Sequence, residues 1–355
     1  GSWQGTPTTA PSRTATQPTT SVAKFLVLDT GGSGGGFGQG DIRRALFDVA
    51  FWNPTEGWAS GEAGVFRTHD GGLTWTRVKP TAGWYQLEVA GPKDVWVMEG
   101  QHPGGIGKVK LWHVTDDGQT WTEHLAGKVG SYTDLYCRDR QCWVMGSGYA
   151  SFHSADGGQT WQTLDFQGHL HEAMKIAIPA DSPTPQGFTV YVLGRVNRHP
   201  ALVRSDDAGK TWRPLALPEV QNLDSPLGFA MFFATSQKGW IGLPDGRVLF
   251  TPNGGETWEA RSLPESHELI TSLWFDQTGR GFASVWNGFV QQQGMPRMKA
   301  TLYQTLDGGR TWQVALSGQK SIAKIFGLGP RQIWAVGDAP GFVPNDVVAI
   351  YDSPE

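Results

Sequence analysis

Three acidic residues within short apolar segments are the side chains with the clearest capacity for chemistry. Asp48, Glu88 and Asp134 have mostly apolar neighbours in the sequence, and a carboxylate buried among such neighbours needs a partner. Two carboxyl groups held about 5–9.5 Å apart in an open cleft carry out glycoside hydrolysis. Structural hydrogen bonds in a water-filled channel are the other explanation, and the sequence leaves both open.

The elements that would position these acids are indicated by six segments that match Asp/Asn-x-Gly-x-Thr-Trp, which we call the boxes. Their final tryptophans are separated by 46, 40, 51, 46 and 54 residues, a spacing typical of repeat folds. An Asp or Asn bonds the backbone amides that follow it, glycine adopts a positive φ, and the tryptophan packs over the turn. Each box therefore predicts a structural hairpin turn. The boxes are Asp70–Trp75, Asp116–Trp121, Asp156–Trp161, Asp207–Trp212, Asn253–Trp258 and Asp307–Trp312.

A second repeat lies upstream of the boxes and gives the number of units. Short apolar runs end in a turn followed by an aromatic residue, and this pattern occurs seven times, with the last copy at Trp334. The last unit has only three strand-like segments, while Val22–Leu28 is a strand without a partner at the start of the chain. Pairing the two closes a ring and removes exposed strand edges. We therefore predict an all-β fold, a single seven-bladed β-propeller of four-stranded blades, with the last blade closed by the N-terminal strand (3+1).

The domain organisation follows from these repeats and from the composition of the first residues. Residues 1–21 begin with a Gly-Ser cloning scar, are rich in Thr, Pro, Ser and Ala, and are predicted to be a disordered tether. Such tethers often follow a signal peptide or a lipid anchor, although a plain disordered tail has the same composition. Residues 22–355 form the predicted propeller. Its blades are placed at about 41–80, 81–127, 128–168, 169–218, 219–264, 265–317 and 318–355 plus 22–29.

Alignment of the predicted innermost strands gives one position per blade that is polar in six of the seven blades. Because the adjacent positions are mostly apolar, this position is predicted to line the central channel. Its residues are Asp48, Gln86, Thr133, Lys175, Ala230, Ser272 and Lys324. Asp134 falls one place later in this alignment and joins the channel-lining set as its odd member. A ligand or cation site and a structural, water-filled channel both remain open here.

The connections between the second and third strands of the predicted blades differ in length. They are long at 99–110, 287–299 and 338–345, and intermediate at 194–200. Long loops on a rigid scaffold often carry binding sites, and Met, aromatic and Arg side chains are enriched in protein interfaces. Ordinary loop composition is the alternative. The predicted partner-binding face consists of Arg195, Arg198, His199, Phe289, Met295, Arg297, Met298 and Phe342.

Composition and charge exclude several classes of protein. The 355 residues include 48 glycines and 17 tryptophans, and 12% of the residues are aromatic. These values exclude a coiled coil and a wholly disordered chain. The formal net charge of −4 disfavours nucleic acid as a partner. No run of 18 apolar residues that could span a membrane occurs in this sequence.

The two cysteines, Cys137 and Cys142, flank a four-residue turn. Opposed positions across an antiparallel hairpin lie close enough for a disulfide, so we predict a Cys137–Cys142 bridge, with two free thiols as the alternative. A disulfide favours a periplasmic or secreted protein. No second pair of ligands follows the cysteines, so a zinc site is not predicted there. No other metal site and no cofactor are predicted.

The pattern Ser/Thr-x-Asp-x-Gly-x-Thr-Trp at this spacing resembles the Asp-box (BNR) repeat propellers. Blade number, length and the turn followed by Trp-x-x-Gly make residues 22–355 most similar to the photosystem II stability/assembly factor family. That resemblance implies an extracytoplasmic, non-catalytic chaperone or scaffold that binds protein. A membrane-associated complex is one candidate partner.

Other families with this repeat are enzymes or receptors, and the sequence departs from each of them. Sialidases carry an Arg-Ile-Pro strand that is absent here, xyloglucanase-type hydrolases are about twice as long, and sortilin-type receptors need a cysteine-rich module. We therefore predict a protein-binding scaffold without catalytic residues. A glycoside hydrolase with its acid pair among the three acids named above is the alternative. A third class, a propeller that binds a sugar ligand, would use as stacking platforms Trp84, Trp274 and Trp286.

Overall fold

Among the residues that it describes, the computed structural model contains β-strands and one short 3-10 helix, Asp116–Gly118. It describes residues 24–29, 36–37, 46–61, 64–79, 84–100, 109–126, 128, 132–146, 150–183, 187–219, 230–243, 245–264, 269–292, 295–319, 321–338 and 346–352. The strands are short, rich in aromatic and β-branched residues, and separated by turns that contain Gly, Asp and Asn, as strand propensities require. The all-β prediction is confirmed.

The strands form successive sheets along the chain, and the first strand, β1 (Lys24–Asp29), joins the last sheet. Sheet 1 contains β2 (Gly36–Phe37), β3 (Leu46–Phe51), β4 (Gly57–Gly61), β5 (Gly64–Thr68) and β6 (Thr74–Lys79). Sheet 2 contains β7 (Trp84–Gly91), β8 (Asp94–Gly100), β9 (Lys110–Thr115) and β10 (Thr120–His124). Sheet 3 contains β11 (Tyr132–Arg138), β12 (Gln141–Gly146), β13 (Phe152–Ser154) and β14 (Gln162–Thr163).

The second half of the chain continues the same arrangement. Sheet 4 contains β15 (Glu172–Ala177), β16 (Val190–Val196), β17 (His199–Ser205) and β18 (Arg213–Leu215). Sheet 5 contains β19 (Ala230–Phe233), β20 (Gly239–Gly242), β21 (Arg247–Thr251) and β22 (Glu259–Ser262). Sheet 6 contains β23 (Leu269–Phe275), β24 (Gly281–Gln292), β25 (Met295–Thr305) and β26 (Gln313–Gln319). Sheet 7 contains β27 (Ser321–Gly329), β28 (Gln332–Asp338), β29 (Asp346–Asp352) and β1.

The prediction of seven four-stranded blades is wrong. The propeller has six four-stranded blades, which are sheets 2 to 7, and sheet 1 differs from them. Sheet 1 has five strands in the order β2-β6-β5-β4-β3, since β2 pairs in parallel with β6 through Gly36↔Thr74 and Phe37↔Trp75. Without β2, strand β6 would present an edge of unpaired backbone groups. Two residues of the chain that leads into sheet 1 cover part of that edge.

The N-terminal strand β1 completes sheet 7. It pairs antiparallel with β29 from Lys24↔Asp352 to Asp29↔Val347, which gives the order β1-β29-β28-β27. The beginning and the end of the described chain are therefore hydrogen-bonded to each other. This pairing joins the ring of sheets without any covalent link.

Buried aromatic rings pack adjacent sheets together. Trp334 of sheet 7 stacks on Phe51 of sheet 1 with ring centroids 3.9 Å apart, and Tyr191 of sheet 4 stacks on Phe233 of sheet 5 at 3.6 Å. Glycine is required opposite these phenylalanine rings, because a Cβ at Gly57 would collide with Phe51. Aromatic contacts between neighbouring sheets are thus one part of the core, which also contains buried Val, Leu, Ile and Ala side chains.

Strand direction alternates within a sheet, which divides the connections between two faces. Turns from the first to the second strand and from the third to the fourth lie on one face, which we call the box face because it carries the boxes. Connections from the second to the third strand, and from one sheet to the next, lie on the opposite face, which we call the loop face. These two faces and the channel between the inner strands are the places where function can reside.

Five boxes contain the same hydrogen-bond network, which the box at Asp307 illustrates. The Thr305 hydroxyl donates to Asp307 Oδ1 (2.9 Å) and accepts from the Gly309 amide (2.8 Å). The Thr311 amide and hydroxyl donate to the two oxygens of Asp307, at 2.9 and 2.6 Å. Both side-chain oxygens are thus satisfied within one turn. Equivalent bonds are present at Asp70, Asp156, Asp207 and Asn253.

The box at Asp116 differs from the others. Val114 stands where they have Ser or Thr, and the Thr120 hydroxyl still donates to Asp116 Oδ2 (2.9 Å). Asp116 and Asp117 have φ values of 52° and 57°, a region that non-glycine residues rarely adopt. In return, Asp117 Oδ1 accepts a hydrogen bond from Arg67 Nε of sheet 1 (2.6 Å). This box therefore binds the neighbouring sheet in addition to closing its own turn.

The predicted disulfide is present. Cys137 and Cys142 pair directly across the β11–β12 hairpin and are joined by a bridge that spans the turn on the box face. Both cysteines are buried, so the bridge lies inside sheet 3. The disulfide therefore fixes one turn and leaves the channel and the loop face unaffected.

Candidate functional site: the central channel and the loop face

A β-bulge at the same place in five inner strands turns one side chain toward the channel. The register shifts directly before Asp48, Asp134, Lys175, Ser272 and Lys324. Bulges re-aim a side chain and recur at functional positions. This register places Asp134, rather than Thr133, at the position shared with Asp48. Alignment back from the turns missed the correspondence because the turn after β11 is one residue shorter: Cys137 pairs with Cys142, whereas Phe51 pairs with Gly57 and Phe275 with Gly281.

The polar side chains at this position connect neighbouring inner strands. Asp48 Oδ2 accepts from the Leu87 amide (3.0 Å), and Asp134 Oδ2 accepts from the Ile176 amide (2.8 Å). The Ser272 hydroxyl oxygen accepts from the Ile325 amide at 3.0 Å. Each of these amides follows the channel residue of the next sheet, Gln86, Lys175 or Lys324. The channel side chains therefore tie sheet 1 to 2, sheet 3 to 4, and sheet 6 to 7.

The residue before the channel position makes a second inter-sheet bond. Thr133 Oγ1 donates to the Ala173 carbonyl (2.6 Å), and Thr271 Oγ1 donates to the Ile322 carbonyl (2.7 Å). Thr133, predicted as a channel residue, thus has a structural partner in the next sheet. The pairs at 133–134 and 271–272 use one side chain as donor and the next as acceptor.

A charged cluster occupies the channel where sheets 1, 2, 3 and 7 meet. Lys324 Nζ lies 3.6 Å from Asp48 Oδ1, and Gln86 Nε2 donates to Asp134 Oδ1. The Lys324 side chain is 32% exposed, although protein surrounds it, whereas Asp48 is 5% exposed. A side chain that is both surrounded and accessible lines a water-accessible channel. The predicted residues Asp48, Gln86, Asp134 and Lys324 are therefore brought together.

Burial sets the protonation of this cluster. Desolvation raises the pKa of Asp48, against the attraction of Lys324 and hydrogen bonds from the Leu87 and Val49 amides. Desolvation also raises the pKa of Glu88 to about 8, with Lys324 opposing the shift and Asp48 and Asp134 adding to it. Asp48 in turn is the main cause that raises the pKa of Lys324. At neutral pH, Glu88 is thus a neutral acid beside an ion pair.

Backbone amides occupy the oxygens of two of the three channel acids. Asp48 Oδ1 also accepts from the Val49 amide (2.8 Å), and Asp134 Oδ1 accepts from the Leu135 amide (3.1 Å). Each of the two carboxylates therefore has a backbone amide on both oxygens. Among the described residues, no group of three or more His, Cys, Asp or Glu side chains is arranged to hold a metal ion.

The loop face carries an exposed basic hairpin in sheet 4. Strands β16 and β17 pair up to Val196↔His199, and the turn residues Asn197 and Arg198 both have positive φ, at 50° and 68°. This conformation is typical of a two-residue hairpin turn. Arg198 and His199 are exposed, while Arg195 is half-buried. These three predicted residues therefore lie together on the loop face.

The rest of the predicted partner face lies partly outside the described residues. The segment 287–299, predicted as a long loop, is instead a β-hairpin, because β24 and β25 extend to Phe289↔Met298, Val290↔Arg297 and Gln292↔Met295. The paired backbones of β24 and β25 there extend beyond the body of the sheet. Only the backbone of Phe289, Met295, Arg297 and Met298 is described, and Phe342 is outside the described residues.

A cleft of about 560 Å³ opens on the loop face beside sheet 5. Arg247 lies within it, paired with Asp245 at 2.6 Å and donating to the Glu219 carbonyl at 2.8 Å. Pro218 completes the described lining. Sequence analysis missed this cleft, because its residues come from a short hairpin and a connection between sheets.

Of the three predicted sugar-stacking tryptophans, the two with described side chains are not exposed. Trp274 is buried and donates its indole N–H to the Gly327 carbonyl of sheet 7 at 3.1 Å. Trp286 is half-buried, and the Trp84 side chain is outside what the structure describes. Trp274 is therefore an inter-sheet contact, and the prediction that it stacks on a sugar is wrong.

Comparison with known proteins supports the β-propeller fold. No protein-family model and no curated protein matches this sequence. The structure of YCF48 bound to D1 peptide has a TM-score of 0.62 and 18% identity, over 96% of this chain and 100% of that chain. A GH74 xyloglucanase from Xanthomonas campestris has a TM-score of 0.59 and 16% identity, over 90% of this chain and 55% of that chain.

A third match is a streptogramin B lyase, with a TM-score of 0.63 and 12% identity over 91% of this chain and 97% of that chain. All three identities are too low to carry an activity from one protein to another. No helix among the described residues is long and apolar enough to cross a membrane. The chain therefore has a β-propeller fold that it shares with a peptide-bound protein, a hydrolase and a lyase.

Proposed function

We propose that the protein is a non-catalytic, extracytoplasmic scaffold that binds protein on its loop face, as an assembly or stability factor does. The main observation behind this proposal is that backbone hydrogen bonds occupy the oxygens of two channel carboxylates. Asp48 and Asp134 each accept one hydrogen bond from the amide of the following residue and one from an amide of the next sheet. A carboxylate engaged in this way stabilises the ring and is a poor nucleophile or base.

The extent of structural similarity supports the same conclusion. YCF48, which is bound to D1 peptide in its structure, aligns over its whole length, whereas the chain covers 55% of the xyloglucanase. The boxes are interpreted as Asp-box repeats within this proposal, because five of them share one hydrogen-bond network.

The loop face supplies the chemistry that a protein partner requires. Arg198 and His199 protrude from a rigid hairpin in sheet 4, and the cleft at Arg247 lies in the adjacent sheet. Arginine is enriched in protein interfaces because its guanidinium binds carboxylates and packs on apolar groups. The hairpin of β24 and β25 extends the same face. The partner is a protein, and a membrane-associated complex is the candidate class.

The buried disulfide supports a periplasmic or secreted location. Disulfides persist in oxidising compartments and are rare in the cytosol. Cys137 and Cys142 are the two cysteines of the chain, and both are in the bridge. Residues 1–21 would then tether the propeller at a membrane.

The binding proposal is tested by capture of partners from the native envelope fraction with the full chain as bait. We expect the doubly substituted R195Q/R198Q protein and the triply substituted F289A/R297A/M298A protein each to lose captured partners. The matched control is Arg280→Gln, an exposed arginine on the box face, which should capture the same partners as the wild type. Unchanged capture by both loop-face variants would refute the assignment of the partner face.

The hydrolase remains the second candidate, because Glu88 is a protonated acid in a water-accessible channel. Incubation of the protein with xyloglucan and related polysaccharides tests it, with release of reducing ends as the readout. We expect no release above that of a Glu88→Gln variant. Release that Glu88→Gln abolishes would establish an enzyme and overturn the scaffold proposal.

A further inference from the structure

The side chain at the channel position of one sheet is an acceptor for the next sheet at three places in the ring. Asp48, Asp134 and Ser272 each accept from a backbone amide of the following inner strand, at 3.0, 2.8 and 3.0 Å. A buried backbone N–H without an acceptor costs about as much free energy as a lost hydrogen bond. These bonds therefore show what the inner strand of a sheet needs from the sheet before it.

Sheet 5 departs from this arrangement, because Ala230 occupies its channel position. Ala230 stands three residues before Phe233. Asp48 stands equally far before Phe51, and each phenylalanine pairs with the glycine that follows the hairpin turn. Both rings also stack on an aromatic ring of the preceding sheet, at 3.6 and 3.9 Å. Sheet 5 therefore has a methyl group at the position where sheet 1 has a carboxylate.

Two backbone amides are without a side-chain acceptor because of this alanine. In sheets 1 and 2, the Val49 and Leu87 amides bond the two oxygens of Asp48, at 2.8 and 3.0 Å. Met231 and Leu273 are the corresponding residues of sheets 5 and 6, and Leu273 packs in the same buried cluster as the alanine. No side chain in the described part of the chain accepts from either amide. Groups of this kind indicate a bound water or ligand, and we call the position of the missing carboxylate the alanine gap.

The channel position of the preceding sheet holds a lysine. Lys175 stands there in sheet 4, and Lys324 has the same position in sheet 7, the sheet that precedes sheet 1. Lys324 Nζ lies 3.6 Å from Asp48 Oδ1, whereas Lys175 forms no ion pair or hydrogen bond with a described residue. Lys175 and Met231 are both half-buried, so solvent reaches this side of the channel. Lys175 is therefore a cation available to an anion in the channel.

The acidic channel residue nearest to Lys175 in sheet order is Asp134, and it is engaged elsewhere. Its oxygens accept from two backbone amides and from the Gln86 side chain, and its charge acts on the cluster of sheets 1, 2 and 7. It is beyond ion-pair distance of Lys175. The channel positions of sheets 5 and 6 hold Ala230 and Ser272, which carry no charge. Lys175 thus has no counter-ion among the channel positions.

Sheets 4, 5 and 6 repeat the arrangement of sheets 7, 1 and 2 with the central carboxylate removed. In sheets 7, 1 and 2, a lysine, a carboxylate and a backbone amide follow one another along the channel wall, and they belong to Lys324, Asp48 and Leu87. In sheets 4, 5 and 6, the same positions are those of Lys175, Ala230 and Leu273. The molecule therefore contains the filled form of the site beside the unfilled form.

We propose that the alanine gap binds the carboxylate group of a small molecule. One oxygen accepts from the Leu273 amide and the other from the Met231 amide, and Lys175 is the counter-ion. Hydrogen bonds from amide or ammonium groups to a carboxylate are stronger than those between neutral groups. The ligand enters through the channel, so this inference does not depend on the partner-binding proposal for the loop face.

Isothermal titration calorimetry with acetate tests the site, because acetate has the size of the missing side chain. Phosphate and chloride at equal ionic strength are the comparison anions. We expect the wild type to bind acetate more tightly than either of them, and Lys175→Met to bind acetate about tenfold more weakly. The matched control is Lys210→Met, because Lys210 is exposed in the box of the same sheet. This control should bind acetate as the wild type does.

Ala230→Asp provides a second arm, because it supplies the carboxylate from the chain itself. We expect this variant to lose acetate binding, and to lose the rise in melting temperature that acetate gives the wild type. Circular dichroism checks its fold, and Lys175→Met carries the test alone where Ala230→Asp does not fold. The proposal is overturned if the wild type does not bind acetate, which leaves water in the gap. It is also overturned if Lys175→Met binds acetate like the wild type, or if phosphate or chloride binds as tightly as acetate.

Discussion

Carboxylates occur in two regions of this molecule, the channel and the boxes, and behave in opposite ways. In the channel, burial raises the pKa of Asp48 and brings the pKa of Glu88 to about 8. In the boxes, hydrogen bonds from the Thr160 hydroxyl and amide lower the pKa of Asp156 to about 2. The pKa of the same functional group therefore rises where the loss of water dominates and falls where hydrogen bonds to the charged form dominate.

The hydrogen bonds of the two regions also differ in the number of residues that separate donor and acceptor along the chain. Asp156 is bonded by Thr160, four residues later, whereas Asp48 accepts from Leu87 in another sheet. A box can thus form as soon as its turn closes. The channel bonds need two sheets in register, and they report on the complete ring. This contrast predicts that channel substitutions weaken the whole propeller and box substitutions weaken one turn.

The largest effect is expected from Asp48→Ala. It leaves Lys324 without its counter-ion and removes an acceptor from the Leu87 amide, so the free energy of unfolding should fall by about 3–5 kcal/mol. Urea unfolding followed by tryptophan fluorescence measures this change. The matched variant D48A/K324M removes both charges and should recover part of the loss. A loss below about 1 kcal/mol for Asp48→Ala would contradict a channel that holds the ring together.

The next effect is the pH dependence contributed by Glu88. Its pKa is raised from 4.5 to about 8 in the folded protein, so between these values the folded state holds a proton that the unfolded state has released. Stability from this group is therefore lost as pH rises from about 4.5 to 8.

Glu88→Gln removes this dependence, because a glutamine stays neutral throughout. Its free energy of unfolding should match the wild type near pH 4 and exceed it by about 1–3 kcal/mol at pH 8. Urea unfolding at a series of pH values measures the difference, with Glu123→Gln on an outer strand as the control. A difference that stays constant with pH would show that Glu88 is ionised in the folded channel.

A smaller effect is expected from Thr305→Val in a box. The substitution keeps the shape of the side chain but removes the hydroxyl that bonds Asp307 and the Gly309 amide, which should cost about 1–2 kcal/mol. Thr122→Val, at an exposed position of β10, is the same chemical change outside a box and should have little effect. Equal losses at the two positions would mean that the box network contributes nothing of its own.

The smallest effect is expected from Asp156→Asn. Asn253 occupies this position in another box and bonds Thr257 through both ends of its amide, so the turn should be retained. Because the pKa of Asp156 is lowered to about 2, its contribution is present above pH 4 and is lost as pH falls toward 2. Thermal melting should show the wild type slightly more stable at pH 5, with the difference gone near pH 2. A difference that persists at pH 2 would contradict an ionised Asp156.

Sequence reasoning predicted the features whose partners are close in the chain. The six turns, the Cys137–Cys142 bridge and the strand character of the chain depend on contacts within a few residues. It also identified Asp48 and Lys324 as inner-strand residues, from the apolar pattern around them. It placed Asp134 one position away from its place in the ring, because the turn after its strand is one residue shorter than the turns after the strands of Asp48 and Ser272.

The amino-acid sequence by itself determined the repeated turns, because each box satisfies its own backbone and side-chain groups within one hairpin. Only the tertiary structure decided that sheet 1 takes a fifth strand, that segment 287–299 is a hairpin, and that Asp48, Glu88, Asp134 and Lys324 meet in one channel. The physical reason is that burial and inter-sheet hydrogen bonds exist only when distant segments are held together. A carboxylate's protonation and partners are properties of that assembled environment.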